Sequence, residues 1–262
     1  MNKRAAILII VLCVVVVTVV LACSIFAVGE VRTVTTADIT LSEELSEGIV
    51  QASGIKKGGS IFSIDENAVR SNVEAAYPNV KVITVERSFP GTVSINCMLR
   101  TSFIAVPTAG GQFALMDREL KILSVADAVP QGEYIEIGGY TLIGAEEGAF
   151  ADIPWLSDII AGGDSNFLVD VRLAYFLQSV TYYDADSPYL DMLTNTGAHL
   201  LIYAEGDMDY MFSAVYQGYL LEAMLNQNFA KAERGWFYPA ADGEGRVEIK
   251  YSLEFPFPNS PL

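Results

Sequence analysis

The chain has 262 residues, of which 32 are acidic and 16 basic, for a formal net charge of −16. This acidity argues against binding to nucleic acid, whose phosphates require a basic surface, and against peripheral adhesion to anionic lipid. The acid is unevenly placed, with 21 acidic against 5 basic residues from 126 onward but 11 against 9 over 29–125. This step in charge predicts two units with different surfaces.

The beginning of the chain carries a long uncharged segment. Residues 5–28 form a run of 24 residues without a charge, preceded by Lys3 and Arg4. A helix of this length crosses a hydrocarbon core of about 30 Å, and basic residues favour the cytoplasmic side. We therefore predict a cytoplasmic tail at 1–4, a transmembrane helix at 5–28, and an extracytoplasmic C-terminal part on a single-pass anchor in the cell membrane.

Two other interpretations of this run are open. A cleaved signal peptide has an apolar stretch of about 7–15 residues and a small-residue cleavage site, whereas this run is longer and lacks a good site. A lipoprotein signal would use the partial lipobox at 20–23, with lipid on Cys23. Leu21 is a poor residue for that motif, and apolar residues continue to Val28, so we favour the uncleaved anchor.

The cysteines limit how the exposed part is stabilised. Cys13 and Cys23 lie in the uncharged run, which leaves Cys97 alone outside it. A disulfide within the exposed part is therefore excluded, and its stability must come from a hydrophobic core. Cys97 lies in an alternating strand at 92–99, on the side of the other apolar residues, which predicts a buried small side chain.

Residues 29–100 predict the order β-α-α-β-β. Ser42 is a plausible N-cap with two glutamates in the first turn after it, and Pro78 disfavours helix beyond Tyr77. The predicted elements are a weak strand in 29–39, a helix over 42–52, a glycine-bearing connection over 55–64, a helix over 66–77 and strands over 80–89 and 92–99.

Residues 101–255 predict a second, mixed unit. Its apolar pattern gives short strands over 103–106, 112–117, 121–125, 180–183 and 200–203, one or two strands within 134–143, helices over 153–160, near 167–177 and over 208–229, and a last strand over 246–255. In the last strand, Arg246, Glu248 and Lys250 share one face, and Val247, Ile249, Tyr251 and Leu253 share the other.

Several motifs in this order resemble the FtsQ/DivIB family of bacterial cell-division proteins. The segment 54–65 is similar to that family's G-I-x-x-G-x-(N/S)-I-F-x-I-D pattern, and 77–95 is similar to its P-x-V…V-x-R-x-(F/Y)-P-x-T-x-x-I pattern. Residues 113–117 resemble the opening of the family's second domain. The matching motif residues are Gly54, Gly58, Ile61, Phe62, Asp65, Pro78, Arg87 and Pro90.

The resemblance implies an α+β fold with a single N-terminal transmembrane helix. It places a POTRA domain at 29–100, a mixed α/β "β domain" with a C-terminal edge strand at 101–255, and a C-terminal tail at 256–262. It further implies a location at the division septum, FtsB/DivIC-like and FtsL-like partners, and possible contact with septal synthase components. The implied docking edge is 246–255, since an edge strand offers unpaired N–H and C=O groups.

An enzyme is the weaker interpretation. The single histidine, His199, stands at a strand start, and no G-x-S-x-G, H-E-x-x-H or Walker sequence is present. The acidic pairs at 184–186 and 207–209 do not match a calcium loop, so we expect no metal, no cofactor and no catalytic residues. Two alternatives stay open: an envelope POTRA protein acting as a transport or chaperone accessory, and an envelope hydrolase that depends on His199.

Overall fold

The structure is a computed structural model that describes residues 10–18, 25–35, 41–169, 171–225, 228–241 and 247–256. It has a mixed α+β fold, as the sequence predicts. The chain divides into two compact units, Met1–Arg100 and Thr101–Leu262. Each unit has its own hydrophobic core, and each is described separately below.

The predicted membrane span lies partly outside the described residues. Residues 10–18 are helical with exposed side chains, while 5–9 and 19–24 lie outside the described part. Within the part that the structure describes, no helix is both long enough and apolar enough to cross a membrane.

The first unit has the predicted order β-α-α-β-β. Its sheet has the order β1-β3-β2, in which β1 runs parallel to β3 and β2 runs antiparallel to it. The elements are β1 (Glu30–Thr35), α1 (Glu43–Ala52), a 3-10 turn (Ile61–Ser63), α2 (Glu66–Ala76), β2 (Val80–Ser88) and β3 (Thr92–Leu99).

Local capping explains where the helices of the first unit begin and end. Ser42 accepts a hydrogen bond from the backbone N–H of Leu45 at 3.2 Å, as expected for an N-cap. Asp65 caps α2 in the same way. Helix α2 ends at Ala76, one residue before the predicted end, and Tyr77 takes an extended conformation ahead of Pro78.

The core of the first unit lies between the two helices and the sheet. Ile49, Val73 and Ile95 are fully buried there, and Cys97 is 1% exposed, which confirms its predicted burial. Burial raises the pKa of the Cys97 thiol, so the side chain stays protonated and behaves as a small apolar residue.

The second unit contains a nine-stranded sheet. The strand order is β12-β11-β10-β9-β8-β7-β4-β5-β6, so β12 and β6 are its two ends. The strands are β4 (Ile104–Pro107), β5 (Phe113–Met116), β6 (Ile122–Ala126), β7 (Ile135–Gly138), β8 (Leu177–Tyr183), β9 (Tyr189–Thr194), β10 (His199–Tyr203), β11 (Trp236–Ala241) and β12 (Val247–Ser252).

Two long helices provide most of the helical part of this core. Helix α3 (Pro154–Ser165) packs against α5 (Met208–Tyr219), and Gly162 allows the close approach because a Cβ there would lie 2.8 Å from the Phe212 ring. Phe212 and Val215 are fully buried. The shorter helices are α4 (Val171–Phe176) and α6 (Phe229–Ala232).

The structure differs from the prediction for the second unit in one helix and in two strands that were not predicted, and it agrees with a strand within 134–143. The predicted helix 208–229 is α-helical only to Tyr219 and continues as a π-helical turn over Leu220–Leu225. The apolar residues of the predicted helix recur every four residues, a longer repeat than the 3.6 residues of an α-helical turn. A π-helical turn contains more residues, so Ala223 lies on the buried side of the helix. The strands β9 and β11 were not predicted, and β7 is the one strand found within 134–143.

Phe212→Ala tests the core of the second unit. Because Phe212 is fully buried between α3 and the sheet, we expect its loss to lower the free energy of unfolding by about 3–5 kcal/mol. Tyr210→Ala is the matched control, since Tyr210 lies on the same helix and is 58% exposed; it should cost within about 0.5 kcal/mol. Urea unfolding followed by circular dichroism measures both, and equal losses would contradict this packing.

Candidate partner-docking edge

Strand β12 is the final strand of the nine-stranded sheet. It pairs antiparallel with β11 along its whole length, from Trp236 opposite Ser252 to Ala241 opposite Val247. No strand among the described residues pairs with its other side. Alternate residues of an antiparallel strand direct their backbone groups to opposite sides, so about half of those of β12 point away from the sheet.

Side-chain packing on one face holds β12 in place. Ile249 packs on helix α5 where Gly218 leaves room for it, since a Cβ on Gly218 would lie 2.6 Å from Ile249 Cγ2. The ring of Tyr251 lies 5.1 Å from that of Phe237, and its hydroxyl donates to the Arg234 carbonyl at 3.1 Å. The strand is therefore a fixed edge of the domain.

The other face and both ends of β12 are open to solvent. Glu248 and Lys250 are exposed and 3.9 Å apart, a spacing that contributes little to stability. Val247 is 47% exposed and Leu253, just beyond the strand, is 58% exposed. Charged side chains on an edge prevent uncontrolled strand pairing while leaving the backbone accessible to a selected partner.

The predicted apolar face of the last strand is therefore divided. Ile249 and Tyr251 face the domain core, whereas Val247 and Leu253 do not contribute to it. Arg246, the first residue of the predicted docking edge, lies outside the described residues. The regular strand ends at Ser252, whose hydroxyl accepts from the backbone N–H of Glu254.

A group of aromatic rings extends from the end of β12 across the sheet to β8, and the sequence analysis did not assign it to the site. Tyr183 stacks on Tyr189 at 4.6 Å, and Phe255 lies 5.9 Å from Trp236 and 6.0 Å from Tyr189. The run 236–238 after Gly235 is a strand signal of high β propensity that could have located β11. Tyr189 is buried within this group, whereas Trp236 and Phe255 are half-buried near the edge and provide some apolar contact area there.

The candidate catalytic and metal residues have structural roles. His199 begins β10, where its Nδ1 lies 2.7 Å from Asp191 Oδ1 and its ring stacks on Trp236 at 5.2 Å. Asp207 caps α5, and its hydrogen bond with Asp209 raises its pKa. Among the described residues, no group of three or more His, Cys, Asp or Glu is placed to hold a metal ion.

The motif residues of the first unit lie in its loops and helix starts. Gly54 and Gly58 have φ values of +71° and +82°, which favour glycine. Ile61 is fully buried, whereas Phe62 is 62% exposed. Asp65 accepts from the N–H of the second and third residues after it, at 2.9 and 3.3 Å.

The remaining motif residues connect β2 with the loop before α2. The guanidinium of Arg87 donates to the Ile64 carbonyl and pairs with Glu66, both at 2.9 Å. Pro78 separates α2 from β2, and Pro90 forms a cis peptide bond with Phe89 in the turn before β3. These residues shape the module, and they lie in a different unit from β12.

Gly218→Ala tests how β12 is held. The added methyl group would overlap Ile249, and we expect a loss of about 1–3 kcal/mol, reduced by about 1 kcal/mol of improved helix propensity. Amide hydrogen exchange should show faster exchange at 247–252 than in the unsubstituted protein. Gly110→Ala is the control, because its Cβ would meet nothing closer than 3.7 Å. Equal protection of β12 in both variants would contradict the Gly218 contact.

Comparison with known proteins identifies the first module. Residues 43–97, which extend from the first residue of α1 to Cys97 in β3, match the POTRA domain, FtsQ-type. No curated protein matches the chain as a whole. Domains of this type mediate protein–protein interactions. The match supports the resemblance seen in the motifs of the first unit, and the chain carries an FtsQ-type POTRA domain at 43–97.

Proposed function

We propose that this protein is a non-enzymatic, single-pass membrane protein of the bacterial division machinery. It links FtsB/DivIC-like and FtsL-like partners outside the cytoplasm and influences when septal peptidoglycan synthesis takes place. The observation that carries the proposal is the side of β12 with which no strand of the described chain pairs, together with an FtsQ-type POTRA domain.

Docking is by addition of a strand to β12. A partner segment in extended conformation completes the hydrogen bonds that β12 leaves open, and these bonds supply affinity without sequence specificity. Specificity then comes from the side chains beside the edge. Exposed Val247 and Leu253 offer apolar contacts, while Glu248 and Lys250 select the charge pattern of the partner.

The anchor contributes through effective concentration. A helix over 5–25 of the uncharged run would be about 31 Å long, enough to cross the hydrocarbon core. Confinement to the membrane then raises the encounter rate with other anchored proteins, so that a modest affinity at β12 is sufficient for assembly. The acidic exposed part favours partners with basic or neutral segments.

The placement of the reactive side chains supports a role without catalysis. Cys97 is buried and protonated, and His199 pairs with Asp191 without a nucleophile among the contacts described for it. Nucleophilic catalysis requires a hydroxyl or thiol within hydrogen-bond reach of the base. Scaffolding, in contrast, requires only the exposed backbone and the surrounding side chains of β12.

A pull-down from membranes of the native organism tests the assignment. The bait is the exposed part with its full first unit, 26–262, beside a version that ends at Gly245. Recovery of small single-span division proteins by the long form alone supports docking at the last strand. Recovery by both forms retains the division role and moves the docking site elsewhere. Recovery by neither, with folded bait, contradicts the proposal and favours a transport accessory.

Proline substitutions test the strand model more sharply, because deletion of β12 also exposes a new edge on β11. Val247→Pro and Glu248→Pro remove N–H groups that point to opposite sides of the strand, and both side chains are exposed. We expect the variant that loses the outward N–H to bind the recovered partner at least about tenfold more weakly with unchanged stability. The other variant should lose stability instead.

Val247→Ala and Glu248→Ala are the matched controls, since they remove the same side chains and keep both N–H groups. Partner affinity is measured by biolayer interferometry and stability by urea unfolding. Unchanged affinity in both proline variants would exclude strand addition at this edge.

A further inference from the structure

The N-terminal segment is bonded directly to a loop of the POTRA domain. The backbone N–H of Val28 donates to the Gly59 carbonyl at 2.7 Å, and the N–H of Gly58 donates to the Val28 carbonyl at 2.8 Å. Ile61 N–H donates to the Phe26 carbonyl at 3.0 Å. Val28 itself is 2% exposed and belongs to the core of the unit. The domain therefore begins at residue 26, within the uncharged run.

A second loop closes on the same segment. The N–H groups of Gly29 and Glu30 both donate to the Gly91 carbonyl, at 2.8 and 3.2 Å. A Cβ on Gly91 would lie 2.4 Å from the Ala27 carbonyl oxygen, so only glycine permits this approach. The chain thus enters β1 between the loops 58–61 and 89–91 with no free linker at 26–29.

An exposed aromatic cluster lies at this entry point. The rings of Phe26, Phe62 and Phe89 contact one another, with centroids 5.4 to 5.8 Å apart. Phe62 is 62% and Phe89 is 60% exposed, and the adjacent Ile25 is 54% exposed. Large apolar side chains that are clustered and exposed mark a contact surface. We call these three rings the phenylalanine patch.

The charges near the patch suit a lipid headgroup region. Lys56 and Lys57 are exposed on the loop that binds Val28. Of the acidic residues that follow in this loop, Asp65 caps α2 and Glu66 pairs with Arg87. Lysines next to an apolar patch extend their ammonium groups to lipid phosphates while their carbon chains remain in the interface.

We propose that the phenylalanine patch contacts the membrane, with its rings at the boundary between lipid headgroups and acyl chains. The inference rests on the anchor in the proposed function: the patch includes Phe26, which directly continues the segment 5–25, so an inserted anchor delivers the patch to the bilayer surface. Loops 58–61 and 89–91 then face the membrane, and the orientation of the POTRA domain relative to the bilayer is fixed.

The patch acts only on the tethered chain. With a formal charge of −18 beyond the first 28 residues, the detached exposed part is repelled by anionic lipid. Tethering overcomes this repulsion because the patch is already at the surface. The membrane contact is therefore an orienting device rather than a targeting signal.

Tryptophan fluorescence in brominated vesicles tests the proposal on the full chain. Phe62→Trp and Phe89→Trp each place a probe in the patch, and the fluorescence of Trp155 and Trp236 in the unsubstituted protein is subtracted. Met98→Trp is the matched control: Met98 is 43% exposed on β3, about 20 Å along the strand from the Thr92 end that adjoins the patch. All four proteins are reconstituted in phosphatidylcholine and phosphatidylglycerol with brominated acyl chains.

The expected result is quenching of about half or more of the added signal at positions 62 and 89, and little quenching at 98. Alkaline extraction of the same vesicles reports whether the chain is integrated. Integrated chains with no more quenching at 62 and 89 than at 98 overturn the patch and leave the anchor intact. Extraction of the unsubstituted chain overturns the anchor, and the patch with it. Circular dichroism confirms that the exposed, conservative substitutions leave the fold unchanged.

Discussion

An open β-sheet ends in strands whose outward N–H and C=O groups have no neighbour, and this constraint governs the second unit. In the strand order β12 to β6, β12 is the end strand that combines a full-length pairing with β11 and a charged, solvent-facing side. Packing of Ile249 against the space above Gly218 fixes its position. This packing holds β12 extended whenever the strand is docked on its domain, which lowers the entropy lost in the proposed strand addition.

The first unit is under a different constraint, because its fold begins at residues 26–29, where the uncharged run ends. Gly91 leaves no room for a side chain beside Ala27, and the backbone of 26–29 is held by two loops at once. The same loops present Phe62 and Phe89 outward. The motif that folds this loop thus also determines which side of the domain lies next to the proposed anchor.

Elements with a clean local period could be predicted from the sequence, and elements that depend on distant partners could not. Strand β3 alternates regularly, and its buried Cys97 follows from that period. Strand β11 carries conflicting local signals, because the aromatic run 236–238 favours a strand while Pro239 argues against one that is paired on both sides. Its pairing with β10 and β12 decides between them. At the candidate edge, the pattern predicted two faces for β12. It did not predict that Gly218 would let Ile249 pack against the core, partly buried, while Val247 stayed exposed, because that depends on the placement of α5.

Strands β10 and β11 pair over a short length, where His199 lies opposite Trp236 and Leu200 lies opposite Phe237. The β11–β12 hairpin is consequently attached to the rest of the sheet mainly by the packing of Phe237, Ile249 and Tyr251. Such a hairpin forms a separate cooperative unit, whose local opening requires less free energy than global unfolding. A partner strand that binds only the closed hairpin stabilises it by mass action, so the apparent affinity of the edge is the intrinsic affinity multiplied by the closed fraction.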